Sequence, residues 1–361
     1  MTISALPRWT LVAPAVALLV LVLAWGRSLP AFAVALVGLA LVAAVLVAVH
    51  HAEVVAHRVG EPYGSLILAL AVTIIEVGLI VTLMISGGES TASLARDTVF
   101  AAFMITCNGI LGLCLLVGAM RHNVVVFNAE GSSKALATVT ALAVLCLVLP
   151  TFTRSTSGPT FSAGQLAFAA VVSLALYGVY VFVQTVRHRD YFLPAGEKCA
   201  DEDEHAQPPS TRVAWLSLAL LTASLVAVVG LAKSVSPAIE SGVRSIDAPR
   251  AVVGVAIALL VLLPETIAAV RAALRNRVQT SINLAFGSAL ASIGLTIPAI
   301  AVASIWLDGP LLLGLGPTET VLLALTVAAG ILTVTPGRAT VMQGSVHLVV
   351  FASFLFIALT P

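Results

Sequence analysis

Charge is what this sequence has least of. Asp, Glu, Lys and Arg together make up 10% of its 361 residues, against roughly 25% in a soluble domain. Hydrophobic types reach 60% and the mean hydropathy is +1.08. That balance excludes an ordinary soluble protein and indicates a chain that lies mostly in a bilayer. A formal net charge of +1 removes the bulk electrostatic case for a nucleic-acid partner. Cysteine is scarce too: Cys107, Cys114 and Cys146 lie in apolar runs and Cys199 in a polar loop, with no spacing that suggests a disulfide frame or a zinc site. HExxH, GxSxG, P-loop and dinucleotide fingerprints are absent and the loops are too short for a catalytic domain. No enzyme activity and no cofactor are expected.

What is there is a series of long apolar runs. A bilayer-crossing helix needs about 20 mostly apolar residues. Runs of that kind occur at about 11–26, 31–50, 65–87, 97–119, 134–151, 163–187, 213–232, 249–272, 281–306, 317–335 and 340–360. They lack strand alternation, so the expected fold is all-α: a polytopic membrane protein of eleven transmembrane helices. A signal peptide is the alternative for the first run. Twelve Lys and Arg fall on the side of the N-terminus and six on the other. The positive-inside rule then places the N-terminus in the cytoplasm and the C-terminus outside.

A polar break at 188–212 carries the acidic cluster Glu197, Asp201, Glu202, Asp203, Glu204 and His205. It divides the chain into an extra first helix (1–30), five spans (31–187), a cytoplasmic linker (188–212) and five further spans (213–361). An odd number of crossings in each half turns the second half upside down. That is an inverted-topology repeat, whose sites lie near the midplane.

Two glutamates stand inside the spans. Glu76 has twelve residues on either side before Gly64 and Gly88, which is about 18 Å of helix each way. Glu265 occupies the matching span of the second half, after Pro264. An ionised carboxylate at the bilayer centre costs on the order of 2.5–3.5 kcal/mol. One such group could be permanently protonated or paired with a neighbouring helix. Two at equivalent positions point to function. Oxygen-bearing neutral residues accompany them: Thr73, Thr106 and Asn108 in the first half, Asn283, Ser288 and Ser292 in the second. Together they form an all-oxygen set with two negative charges, suited to a hard cation such as Ca²⁺ or Na⁺. His51, Glu53 and His57, at the cytoplasmic end of the second span, are candidates for proton access. His347 reads as a satisfied packing residue. The acidic linker lacks EF-hand spacing and reads as a solvated charge run.

The stretches HAEVVAHRVGEPYGSLILALAVTIIEVGLI (51–80) and LPETIAAVRAALRNRVQTSINLAFGSALASIGLTIP (263–298) resemble the calcium/cation–proton antiporters of the cation/calcium exchanger superfamily, nearest the bacterial ChaA-like branch. The resemblance runs from about residue 31 to the end. It implies Glu76 and Glu265 as the central cation ligands, with Asn108 and Ser288 in the helices that complete the site. Thr73-Ile74-Ile75-Glu76 stands where plant and fungal relatives carry Gly-Asn-Ala-x-Glu, and Ala291 where Gln is common. The function so implied is secondary antiport in a bacterial inner membrane. Protons and a cation, Ca²⁺ before Na⁺ or K⁺, compete for the two glutamates. A Na⁺(K⁺)/H⁺ antiporter is the alternative on the same scaffold, and a cation channel the reading after that. The expected partners are the cation, H⁺ and the lipid bilayer.

Overall fold

The computed structural model describes residues 7–27, 29–60, 63–193, 209–245, 249–307 and 309–360. The acidic cluster from Glu197 to His205, with Cys199, lies outside them. Nine helices among the described residues are long and apolar enough to cross a bilayer, and one bent pair adds a tenth span if its halves count together. The protein is an all-α, multi-pass membrane protein. Contacts divide it into two compact units, Met1–Thr91 with Lys198–Ala248, and Ala92–Glu197 with Pro249–Pro361.

The first unit holds α1 (Arg8–Ala24), α2 (Ala31–Val59), α3 (Tyr63–Gly87) and α9 (Thr211–Ser245). Pro30 precedes α2, and Gly60 ends it at φ 78°, a backbone state that costs glycine little. The 29 residues of α2 span about 44 Å. Both α3 and α1 pack against α2 and α9. Arg58 donates to the Thr211 hydroxyl at 3.0 Å, fixing the end of α2 to the start of α9. At the opposite end, the Lys233 ammonium lies 5.3 Å from the Trp25 ring centre.

In the second unit the chain runs through α4 (Leu94–Met104), a π-helical turn at Ile105–Ile110 and α5 (Leu111–His122), which form one span. After β1 (Val125–Val126) come α6 (Ala129–Ala143), a second π-turn at Val144–Val148, α7 (Leu149–Phe152) and α8 (Ala163–Phe182). The later part holds α10 (Ala251–Val261), α11 (Leu263–Leu274), α12 (Val278–Gly294), α13 (Thr296–Ala303), α14 (Pro317–Val334), β2 (Arg338–Ala339) and α15 (Val341–Leu359). The span of α4 and α5 packs on α15, and the span of α12 and α13 packs on α8, while α6 meets α14. Both α8 and α15 begin with a capping box, Ser162 with Gln165 and Thr340 with Gln343. In each, two helix-end N–H groups find side-chain oxygens.

Loops of the second unit are tied in two sets. On one side β1 pairs antiparallel with β2, and the Asn128 N–H donates to the Gln279 side-chain oxygen at 2.7 Å. On the other, Leu312 N–H donates to the Ala92 carbonyl, Leu313 N–H to that of Pro159 and Leu315 N–H to that of Leu147. The Arg96 guanidinium, salt-bridged to Asp97 at 2.8 Å, also donates to the Gly314 carbonyl.

Two expected spans are not single helices. The run at 249–272 is α10 and α11, bent by 54°. Leu262 leaves the helical region at ψ 1°, and Pro264 falls in the first turn of α11, where no N–H is required. The run at 281–306 breaks at Leu295, with Pro298 in the first turn of α13. Proline restarts a helix more readily than it continues one, and both breaks follow from that.

Candidate functional site

Glu76 sits at mid-length of α3 and is 2% exposed. Thr73, one turn earlier, is buried with its hydroxyl on the Ala69 carbonyl at 2.8 Å. Two residues on, and on nearly the opposite face of α3, a Cβ on Gly78 would meet the Val229 side chain at 2.9 Å, so α3 and α9 approach closely there. Only a small residue permits that approach.

Glu265 lies in the first turn of α11, directly after the bend. Helix N-termini carry orphan N–H groups and a positive partial charge, which favour a carboxylate there. The Ser281 hydroxyl donates to the Ala269 carbonyl at 2.7 Å and locks α11 against α12. Followed from that bond, the antiparallel pair brings Glu265 level with about Ala285, roughly one turn from Ser288. Ser288 is half-buried and Ser292, one turn on, is buried.

Thr106 and Asn108 both lie in the π-turn of the 94–122 span and both are buried. The Thr106 hydroxyl bonds back to the Ala102 carbonyl at 2.7 Å. Asn108 does not bond within its own helix through oxygen or nitrogen partners. Its amide nitrogen donates to Thr326 Oγ1 on α14 at 2.8 Å, and its oxygen lies 2.9 Å from His347 Nδ1 on α15. The Thr333 hydroxyl lies 3.1 Å from His347 Nε2. Thus His347 is satisfied, as expected for a packing residue, but its partner is one of the candidate site residues. Nothing in the local sequence marks Thr326 or Thr333 as members of this network.

Asn283 is placed differently from the other candidates. Its amide donates to the Phe192 carbonyl at 2.7 Å and its oxygen accepts from Gln279 at 2.8 Å. Its polar atoms therefore hold the segment that precedes the linker. The three proton-access candidates are not gathered into one group. His51 is buried with Nε2 on the Thr10 carbonyl at 2.9 Å, joining α2 to α1, while Glu53 and His57 are exposed. Among the described residues, no three His, Cys, Asp or Glu side chains cluster as a metal cage.

Long apolar helices, one pair of them bent, with a buried Glu76 and a half-buried Glu265 inside the spans, define a multi-pass membrane protein. A family profile described as sodium/calcium exchanger protein matches residues 27–186 and again 216–360. The chain belongs to that family of exchangers. Glu76 and Glu265 each fall 49 residues after the start of a matched segment, from 27 to 76 and from 216 to 265. The y4hA protein of Sinorhizobium fredii is 46% identical, over 98% of this chain and 97% of its own. The sodium-potassium/proton antiporter ChaA of Escherichia coli is 36% identical, over 96% of this chain and 94% of its own. The solved structure of YfkE, a Ca²⁺/H⁺ antiporter, superposes with a TM-score of 0.72 over 98% of this chain and 99% of that one. At 15% identity, that likeness concerns the fold.

Proposed function

We propose that the protein is a secondary active cation/proton antiporter that extrudes Ca²⁺ from the cytoplasm by alternating access, with Glu76 and Glu265 carrying cation one way and protons the other. The observation that carries this reading is the equal placement of the two carboxylates in the two segments matched by one exchanger profile. A carboxylate held in an apolar span must be neutralised, by a proton or by a cation. One pair of groups then exchanges the two ligands without a separate proton site. Ca²⁺ takes six to eight oxygens including carboxylates, and Asn108, Ser288, Ser292, Thr73 and Thr106 supply neutral ones.

The architecture proposed is one extra helix (1–30) followed by inverted five-span repeats at 31–187 and 213–361, with 188–212 as the cytoplasmic linker. Packing in the second unit supports it. The third span of the first half lies on the last span of the second, and the third span of the second half on the last span of the first. The two loop sets support the sidedness, because the ladder of Val125–Val126 with Arg338–Ala339 joins two segments that the charge bias assigns to the cytoplasm. Bacterial relatives and the 12-to-6 charge bias favour the inner membrane with the N-terminus inside and the C-terminus outside.

A Na⁺(K⁺)/H⁺ antiporter is the second reading, favoured by the 36% identity to a protein named for that exchange. Everted vesicles with a pH-sensitive dye test both readings, with Ca²⁺, Na⁺ and K⁺ added in turn. Ca²⁺-driven proton movement is expected, and its loss in Glu76→Gln and in Glu265→Gln at normal expression. Proton movement driven by Na⁺ or K⁺ alone selects the second reading. Near-normal exchange in a well-expressed Glu76→Gln protein sinks the shared-carboxylate mechanism.

A further inference from the structure

The network around Asn108 fixes its own protons. The Thr326 hydroxyl donates to the Leu322 carbonyl at 2.8 Å, one turn back on α14. Its oxygen is then free to accept, and it does so from the Asn108 amide nitrogen. In this arrangement the Asn108 oxygen faces His347 and accepts from its Nδ1–H at 2.9 Å. A neutral imidazole has one donor and one acceptor. Nε2 is the acceptor, and the Thr333 hydroxyl donates to it. Both nitrogens of the His347 ring are thus assigned within a buried set on two helices, α14 and α15, and one π-turn.

The backbone around this set is equally constrained. A Cβ on Gly112 would meet His347 Cβ at 2.8 Å, and one on Gly344 would meet the Leu116 nitrogen at 2.6 Å. α5 and α15 therefore cross at backbone contact, with His347 at the crossing. The point from which the imidazole reaches Asn108 is therefore fixed by the packing of the two helices.

We propose that His347 is a positioning residue for cation binding: its Nδ1–H holds the Asn108 amide so that the second lone pair of the Asn108 oxygen is presented to the cation. This rests on Asn108 being a ligand, as proposed above. A carbonyl oxygen has two lone pairs, and His347 takes one. With the His347 donor gone, the amide loses one of its two strong anchors, and a ligand that turns freely binds less well. Hydrogen-bond partners behind a metal ligand typically contribute 10–100-fold to affinity.

The test uses the full-length protein and two substitutions that keep different ring nitrogens. Asn places its amide nitrogen near the position of imidazole Nδ1, and Gln near that of Nε2. We expect His347→Gln to raise the half-saturating Ca²⁺ concentration about 10–100-fold with the maximal rate largely kept. His347→Asn should stay within about threefold, although it fills less of the cavity. Joining His347→Gln to Asn108→Ala should add nothing to the effect of Asn108→Ala alone, since one residue acts through the other. A purely packing role predicts the opposite ranking, with the larger Gln better tolerated than Asn, and that result overturns the proposal. If Asn108→Ala itself leaves Ca²⁺ affinity unchanged, the ligand assignment of Asn108 fails. If it weakens affinity while His347→Gln does not, the positioning role alone fails. Should the variants not fold, ¹⁵N-histidine spectra of the unmodified protein decide. A neutral ring protonated at Nδ1 is expected among the seven histidines, and an Nε2-protonated or charged ring at His347 overturns the assignment.

Discussion

Substituting Gly344 by Ala puts the crossing of α5 and α15 under a calculable load. The new Cβ would lie 2.6 Å from the Leu116 nitrogen, 2.9 Å from the Leu116 Cα and 2.9 Å from the Gly112 carbonyl oxygen. All three are backbone atoms, so no side-chain rotation relieves the contact. Ordinary separation begins near 3.5 Å, and the helices must part locally by roughly 0.9 Å. His347 lies three residues further along α15, within one turn. Its 2.9 Å bond to Asn108 stretches toward roughly 3.8 Å, beyond the range of a useful N–H···O bond. Overpacking of this kind costs about 1–3 kcal/mol, and the lost buried hydrogen bond about 1 kcal/mol more. The expected outcome is a protein that aggregates at lower temperature when heated in detergent and half-saturates at higher Ca²⁺. Gly178→Ala is the control, because nothing lies within 4 Å of a Cβ there. If Gly344→Ala melts with the control and keeps its affinity, the close crossing and its link to Asn108 are both refuted.

Further outcomes follow from the same residues. Asn108→Ala and Ser288→Ala should each weaken apparent Ca²⁺ affinity without abolishing exchange, since each removes a neutral oxygen while both carboxylates remain. Asn283→Ala should lower thermal stability by about 1 kcal/mol, because its amide holds the Phe192 carbonyl and Gln279; a tenfold loss of Ca²⁺ affinity in the same variant would make it a cation ligand as well. A reporter fused after Pro361 should read as external and one inserted near Asp203 as cytoplasmic, and finding both on one side removes the inverted repeat. Deleting Glu197 to His205 should leave transport largely intact in an inserted protein, and complete loss there would give the acidic run an essential role.

Much of the fold was legible because a bilayer imposes a simple rule: apolar runs of sufficient length become helices with all backbone groups bonded internally. The runs at 65–87 and 163–187 reappear as spans of nearly the same extent. Glu76 was legible for the same reason, as a charge where charge is costly. What escaped was set by partners far along the chain. Asn108 bonds to residues 218 and 239 positions away, and no local pattern announces either. The bend at Leu262 was only half visible. Pro264 signalled a lost hydrogen bond, but not that the apolar run turns through 54° there, nor that α11 is then held on α12 through Ser281. His347 shows the limit most plainly. A lone histidine in an apolar span reads as packing, and that is what it does, yet it packs against Asn108.

The π-turn at Ile105–Ile110 acts as a phase shifter. The Leu111 N–H reaches back five residues to the Thr106 carbonyl, so one residue more than an α-helix requires is wound into the span. One residue of an α-helix corresponds to about 100° of rotation. The face that α4 turns to α10 and the face that α5 turns to α15 are therefore out of phase by about that angle, although they belong to one span. A single helix thereby addresses two neighbours lying in different directions, and Asn108 sits inside the turn where the phase changes. Removing one residue there would leave the composition and hydropathy of the span almost untouched while rotating Gly112 and every later residue off α15. A length alignment that tolerates a gap anywhere in an apolar run would count such a deletion as harmless, whereas for this helix the number of residues is itself part of the address.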